Sequence, residues 1–323
     1  MEPLAKKFEE LNNILKESKN LLLIVHPQPD ADALGAAFCL TNFIKKEFKK
    51  TTDIFSIDNP SKAQAVLFPT NKIKNKINLK KYDVLTFIDR GDVFYKLGFD
   101  KKIENFSPKP KILNIDHHFH TFIPKALNIL DTNCSATAEI VFRFLDYIDF
   151  EIDQKNAQYL LNGIYSDTGG FRHNNTSAQS LEIAATLLRK GARLEKITRA
   201  LFANKSINTL KLWSIALERA KINPKTGMVV SFITKKDLKK YKASESEISG
   251  ISEILNTITE SNFSLVLSER EKNKIKASLR SEEYKGIDVS EIARKFKGGG
   301  HKLASGFEIN GRLIQANDDW TIE

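Results

Sequence analysis

The sequence predicts an α/β protein: a doubly wound, mostly parallel sheet over residues 1–190, a helical linker over 191–210, and a smaller α/β domain over 211–323. Three observations lead there. Short apolar runs alternate with helical patterns, the grammar of linked βαβ units. The runs are apolar throughout rather than alternating, as in strands buried on both faces. Three of them stop directly at a polar island, at His26, Asp89 and Asp116, the strand ends outside which open α/β sheets bind ligands.

In chain order, residues 3–18 place Leu4, Phe8, Leu11 and Leu15 at helical spacing. Leu21-Leu-Leu-Ile-Val25 is the first strand, and a helix begins after Asp30-Ala-Asp32 and runs through Phe43-Ile44. Further strands are expected at 52–57, 83–88 and 111–115, then helices at about 135–147, 153–166, 177–190 and 193–203. In the second domain a helix over 206–222 precedes a strand at 227–234, and helices follow at 235–241 and 247–259. Neighbouring strands at 263–268 and 274–280 flank a polar turn, a short helix covers 288–296, and Gly298-Gly-Gly300 forms a loop past its end.

Of 323 residues, 41% are hydrophobic and 28% charged, the balance of a globular protein. No apolar run approaches the roughly 20 residues of a membrane span. The first ten residues, Met1-Glu-Pro-Leu-Ala-Lys-Lys-Phe-Glu-Glu, lack an apolar signal core, so a cytoplasmic location is expected. Cys39 and Cys134, in apolar or small-residue surroundings without a CxxC pattern, read as buried reduced thiols. The net charge of +10 suits an anionic ligand, but lysines on polar helix faces give the same sum. The charge by itself selects no partner.

Chemistry concentrates in five islands, which hold four of the six histidines: His26-Pro-Gln-Pro-Asp30-Ala-Asp32, Asp89, Asp116-His117-His118, Asp167 and Gly298-Gly-Gly-His301. Carboxylate and imidazole are ligands for hard and borderline divalent ions. The first island holds three potential ligands on a loop stiffened by Pro27 and Pro29, and Asp30 or Asp32 is also a natural helix cap. Asp89 can bridge two ions with its two oxygens. His117 can ligate, His118 can meet a phosphate oxygen or protonate a leaving group, and Asp116 can orient an imidazole. His120 reads as incidental. Asp167 completes a set sufficient for two ions, which together can lower the pKa of a shared water and stabilise an in-line phosphoryl displacement. The carboxylates favour Mn²⁺ or Mg²⁺, and the imidazoles shift the balance towards Mn²⁺. In the fifth island, Gly298, Gly299 and Gly300 can offer backbone N–H groups to an anion, His301 and Lys302 add donors, and Ala304-Ser305-Gly306 follows compactly. Arg280, at a strand end, can fork onto a phosphate.

The order HxxPDxD, Asp, DHH, SDTG and GGGH resembles the DHH/DHHA1 phosphoesterases across residues 26–306. Within them the two-domain form is similar to the bacterial oligoribonuclease and 3′-phosphoadenosine 5′-phosphate phosphatase group. The resemblance implies a DHH catalytic domain and a DHHA1 substrate-binding domain, with the active site in the cleft between. It implies two Mn²⁺, with Mg²⁺ as the alternative. His26, Asp30 and Asp89 would hold one ion. Asp32, Asp89, His117 and Asp167 would hold the other. His118 would contact the scissile phosphate, supported by Asp116. Arg280, His301 and the glycine loop through Ser305 would bind the rest of a short single-stranded RNA, a dinucleotide or another nucleotide substrate. Two positions depart from the family: Lys297 replaces a frequent glycine, and Arg90 follows Asp89 where a small residue is usual. The alternatives are a phosphodiesterase for cyclic or linear di-adenylate, a RecJ-type single-strand DNA exonuclease, a manganese pyrophosphatase, and a nucleotide sensor without catalysis. The helix over 206–222 offers a face for pairing into a homodimer.

Overall fold

The computed structural model describes residues 2–119, 121–201, 205–248, 250–271, 273–316 and 319–323. The chain divides into two compact units, Met1–Asn204 and Lys205–Glu323. Among the described residues no helix is long and apolar enough to cross a membrane.

In the first unit, α1 (Glu2–Glu17) leads into β1 (Leu21–Val25), then α2 (Ala31–Phe48), β2 (Thr52–Phe55), α3 (Lys62–Leu67), β3 (Ile73–Lys74) and β4 (Val84–Ile88). Short helices α4 (Val93–Lys96) and α5 (Phe99–Ile103) precede β5 (Lys111–Asp116) and β6 (Leu127–Leu130). Four helices close the unit: α6 (Thr137–Tyr147), α7 (Gln154–Asp167), α8 (Ala178–Arg189) and α9 (Leu194–Leu201). The sheet runs β3-β2-β1-β4-β5-β6, every pair parallel. Strand order reverses between β1 and β4, so the crevice there lies at the switch point where open sheets take ligands. β1 and β4 are buried along their whole length, which explains why they carry no alternation. Two strands escape the sequence pattern, β3 and β6. The first has two residues, and the second, Leu-Asn-Ile-Leu, breaks its apolar run with Asn128. Asn128 is buried and ties down the loop before it, through Ile123 N–H at 2.9 Å and Ile123 O at 2.8 Å.

The helices close tightly on this sheet through two glycines. A Cβ on Gly35 of α2 would stand 2.4 Å from the Tyr159 carbonyl of α7, and one on Gly163 of α7 would stand 2.7 Å from Asp32 Oδ1. Both positions admit only hydrogen. The second brings α7 directly against a site carboxylate.

In the second unit, α10 (Ile207–Glu218) and β7 (Lys221–Ile222) come first, followed by β8 (Met228–Ile233), α11 (Lys235–Lys240) and α12 (Ile251–Asn256). Then come β9 (Phe263–Arg270), β10 (Lys274–Arg280), α13 (Val289–Lys295), β11 (Gly299–His301), β12 (Ala304–Asn310) and the hairpin β13 (Leu313–Ala316) with β14 (Asp319–Ile322). The sheet order is β11-β12-β10-β9-β8-β7; β8 and β9 are parallel and the other pairs antiparallel. One core gathers Leu212, Val229, Ile233, Leu255 and Val266, another Leu279, Val289, Ala293 and Phe307.

Three expectations are corrected here. The helix over 206–222 stops at Glu218, and Lys221–Ile222 pairs with β8 instead. The helix over 247–259 contracts to Ile251–Asn256 behind a 3-10 turn at Glu245–Ile248, and Gly250 at φ +99° marks the break. The loop over Gly298–Gly300 is in part a strand, Gly299 and Gly300 facing Gly306 and Ser305 of β12. That pairing supplies its own reason for two glycines. A Cβ on Gly298 would meet the Gly306 carbonyl at 2.3 Å, and one on Gly300, at φ +140°, the Ala304 carbonyl at 2.5 Å.

Candidate metal centre

The loops after β1, β4 and β5 and the end of α7 bring six predicted ligands together. Asp89 is central. It follows β4 with φ +66°, a conformation that costs a residue with a Cβ roughly 1–2 kcal/mol, and its N–H is held by the Ile115 carbonyl at 2.9 Å. Its side chain is buried, and its two oxygens face different ways. Oδ2 lies 3.6 Å from His26 Nε2, which is also 3.5 Å from Asp30 Oδ2. Oδ1 lies 3.6 Å from His117 Nε2, which is also 3.5 Å from Asp167 Oδ2 and 4.0 Å from Asp32 Oδ2.

Both imidazoles are oriented the same way. His26 Nδ1 is 2.8 Å from the Pro27 carbonyl, and His117 Nδ1 is 3.2 Å from the Cys134 carbonyl. A carbonyl accepts only, so each Nδ1 carries a hydrogen, and that bond turns each Nε2 towards the carboxylates. His117 Nε2 is buried and has no hydrogen-bond partner among the described residues. A buried ring nitrogen turned towards three acid side chains is a place for a cation. The donor set therefore fits the divalent metal that the sequence implies.

The carboxylates show the same excess of negative charge. Burial, then the charges of Asp32 and Asp30, push Asp89 and Asp167 well above the usual carboxylate range. Burial also raises Asp32. Burial alone would lower His26, but pairing with Asp30 and Asp89 outweighs it and pushes the imidazole up to about 11. Asp30 is correspondingly held down to about 2, the His26 pairing outweighing its burial. Without a metal, the centre holds a proton where a cation belongs.

Asp30 is the helix cap: its Oδ1 accepts from Asp32 N and Ala33 N at 3.0 Å, while Oδ2 faces His26. Asp116 has no oxygen to spare for a metal. Oδ1 accepts from His118 N at 2.9 Å and His118 Nδ1 at 2.8 Å, and Oδ2 accepts from Gly91 N at 2.8 Å. His118 Nδ1 also lies 3.5 Å from Asp89 Oδ1, and His118 falls within one donor cluster with Asp89 and His117. Its shorter bond to Asp116 commits that nitrogen elsewhere, leaving a carboxylate-supported imidazole suited to proton transfer.

Sequence reasoning missed the residues that hold the ligands. Thr137, at the start of α6, donates its N–H to Asp32 Oδ2 at 2.6 Å and its hydroxyl to Asp89 Oδ1 at 3.0 Å; Ala138 N–H reaches Asp32 Oδ1 at 2.8 Å. A helix N-terminus has free N–H groups and a positive dipole end, so it stabilises the buried Asp32. Asn175 Nδ2 approaches Asp167 Oδ2 at 3.4 Å. Nothing local marks Thr137; a short Ser-Ala-Thr-Ala stretch before an apolar helix was the only signal.

In the second unit, Arg280 Nη2 lies 3.3 Å from Glu253 Oε1, and Nη1 donates to the Leu279 carbonyl at 3.0 Å. Ser305 is buried on β12, and His301 ends β11. The His301 side chain and all of His120 lie outside the described residues. The Gly299–His301 backbone is an edge strand, and Lys297, two residues before it, stands at φ +60°.

Residues 20–164 match the DHH family, N-terminal domain, and residues 225–319 the DHHA1 domain. The bifunctional oligoribonuclease and PAP phosphatase NrnA of Bacillus subtilis is 25% identical, covering 93% of this chain and 92% of its own. Its namesake from Thermus thermophilus is 27% identical, covering 95% and 89%. An exopolyphosphatase-related protein from Bacteroides fragilis shares the fold, with a TM-score of 0.85 and 22% identity over 95% of this chain and 92% of its own.

Proposed function

The chain belongs to the DHH/DHHA1 phosphoesterase family, and from that membership we propose a Mn²⁺-dependent phosphodiesterase that cleaves very short RNAs and dinucleotides to mononucleotides and removes the 3′-phosphate of 3′-phosphoadenosine 5′-phosphate. It is a hydrolase acting on phosphoester bonds. The observation that carries the finer reading is the divided Asp89 carboxylate, one oxygen towards His26 and the other towards His117. His26, Asp30 and Asp89 would hold one divalent ion, and Asp32, Asp89, His117 and Asp167 a second. Two such ions supply Lewis acidity and an activated water.

The rest is the work of this chain's own side chains. His118, oriented by its bond to Asp116 Oδ1, is placed to give a proton to the leaving oxygen. The N–H groups of Thr137 and Ala138 hold the Asp32 carboxyl aligned. Arg280, the Gly298–Gly300 backbone, His301 and Ser305 bind the anionic remainder of the substrate. NrnA relatives matched over nearly their whole length favour short RNA over long single strands.

The test is hydrolysis in Mn²⁺ of RNA dimers through 20-mers, linear and cyclic di-adenylate, and 3′-phosphoadenosine 5′-phosphate. Turnover should be highest on dimers to tetramers, with phosphate released from the bisphosphate. Equal rates on a 20-mer and a dimer would support the single-strand exonuclease instead. Binding without cleavage in Mn²⁺ would support a sensor.

A further inference from the structure

Arg90 sits where the chain turns out of β4, directly after Asp89. Its Nε and Nη2 each lie 3.2 Å from an oxygen of Asp92, a two-pronged pair that is long for one between charged groups, where about 2.7–2.9 Å is usual. Asp92 is not left to Arg90 alone: Lys96, one helical turn on, stands 2.5 Å from its Oδ2. The Arg90 side chain is 35% exposed. The turn beneath it is fixed, since Gly91 N–H is bonded to Asp116 Oδ2 at 2.8 Å. A Cβ on Gly91 would meet the Thr121 carbonyl at 2.4 Å, so the turn also packs against the loop after His118.

We propose that Arg90 is a substrate clamp: its guanidinium leaves Asp92 to fork onto a non-scissile phosphate of the nucleotide, while Lys96 keeps Asp92 neutralised. A planar fork matches two phosphate oxygens as well as it matches a carboxylate. Releasing an arginine from a singly paired carboxylate strands a negative charge. Here the second cation is already in place, so the exchange is nearly balanced. Arg90 directly follows Asp89 in the chain, its guanidinium is bonded to Asp92, and its side chain is 35% exposed. A phosphate next to the one being cleaved is the group that position serves. The residue would make this chain prefer substrates with an additional phosphate.

The proposal rests on the phosphodiesterase reading, and the test separates the two. The substrates are pApA, with a 5′-phosphate beside its internal diester, and ApA, which lacks it. Turnover is measured in Mn²⁺, and affinity by calorimetry in Ca²⁺. Wild type should favour pApA. Arg90→Met should raise KM for pApA about tenfold or more and ApA far less, the scale of losing a charge-assisted bond. Arg90→Lys should fall between. Asp92→Asn should lower KM for pApA by freeing the fork, and Lys96→Met should raise it by tightening the Asp92 pair. Asp92 makes no side-chain capping bond to α4, so the asparagine leaves that helix intact. A structural role for the Arg90–Asp92 pair predicts the reverse for Asp92→Asn: damage matching Arg90→Met, with a lower melting temperature in both. That result, or equal losses on pApA and ApA in Arg90→Met, overturns the clamp. Wild type that binds pApA through Arg90 but cleaves neither substrate overturns the activity and leaves the clamp standing.

Discussion

His117 Nε2 stands 3.6 Å from Asp89 Oδ1, buried and without a hydrogen-bond partner among the described residues, its ring turned there by the bond from Nδ1 to the Cys134 carbonyl. The two groups face each other with no hydrogen bond joining them, in a centre crowded with acid side chains. It predicts that the protein is more stable with a divalent cation than without. Mn²⁺ at a hundredfold over its dissociation constant adds about 2.7 kcal/mol, read as a rise in melting temperature that chelator reverses. Asp89→Ala and His117→Ala should each abolish dinucleotide hydrolysis and blunt this rise while keeping a native circular-dichroism spectrum. Near-normal activity in either would remove the centre from the chemistry.

Thr137 makes a second prediction. Thr137→Val keeps the shape and the N–H bond to Asp32 but deletes the hydroxyl bond to Asp89. Losing such a supporting bond weakens metal binding by about 10- to 100-fold. Titration of Mn²⁺ by paramagnetic resonance should show this loss, and Thr137→Ser should restore most of the affinity. Equal affinity in the valine variant would reduce Thr137 to packing.

The second unit has its own pH dependence. Burial would raise Asp237, but hydrogen bonds from Arg219 and Thr234 outweigh it and hold the carboxyl below its ordinary range. A folded-state value below the unfolded one means the unfolded chain binds more protons in that window. The pair's stabilisation is therefore present above the unfolded value of 3.8 and is lost as pH falls through the folded one. Asp237→Asn should lower stability at pH 7, with the gap to wild type closing below about pH 4. Urea denaturation across pH 3–7 reads it.

Lys297 offers a gain. It holds φ +60° two residues before β11, where glycine carries no Cβ penalty. Lys297→Gly should raise stability by up to about 1 kcal/mol, glycine's extra unfolded-state entropy offsetting part of the relief. A loss in thermal or urea denaturation would mean that the lysine side chain contributes contacts that outweigh its backbone strain.

The sequence determined the strand ends and what stands on them. Leu21–Val25, Val84–Ile88 and Lys111–Asp116 are local patterns, and His26, Asp89 and Asp116 follow or end them in the chain, so a parallel sheet must gather them on one edge. The residue types then fixed the chemistry as oxygen and imidazole ligation. Tertiary structure decided the rest. Which oxygen of Asp89 serves which imidazole depends on a backbone turn at φ +66° that no residue pattern announces. Thr137 reaches Asp89 across 48 residues and Asp32 across 105, so its part comes from packing α6 beside the sheet. Gly163 is needed because Asp32 and Ala138 lie against it, and Gly298 and Gly300 because β12 does. Periodicity records which face of an element is buried. It carries no information about what that face is buried against, and that is where this site acquires its precision.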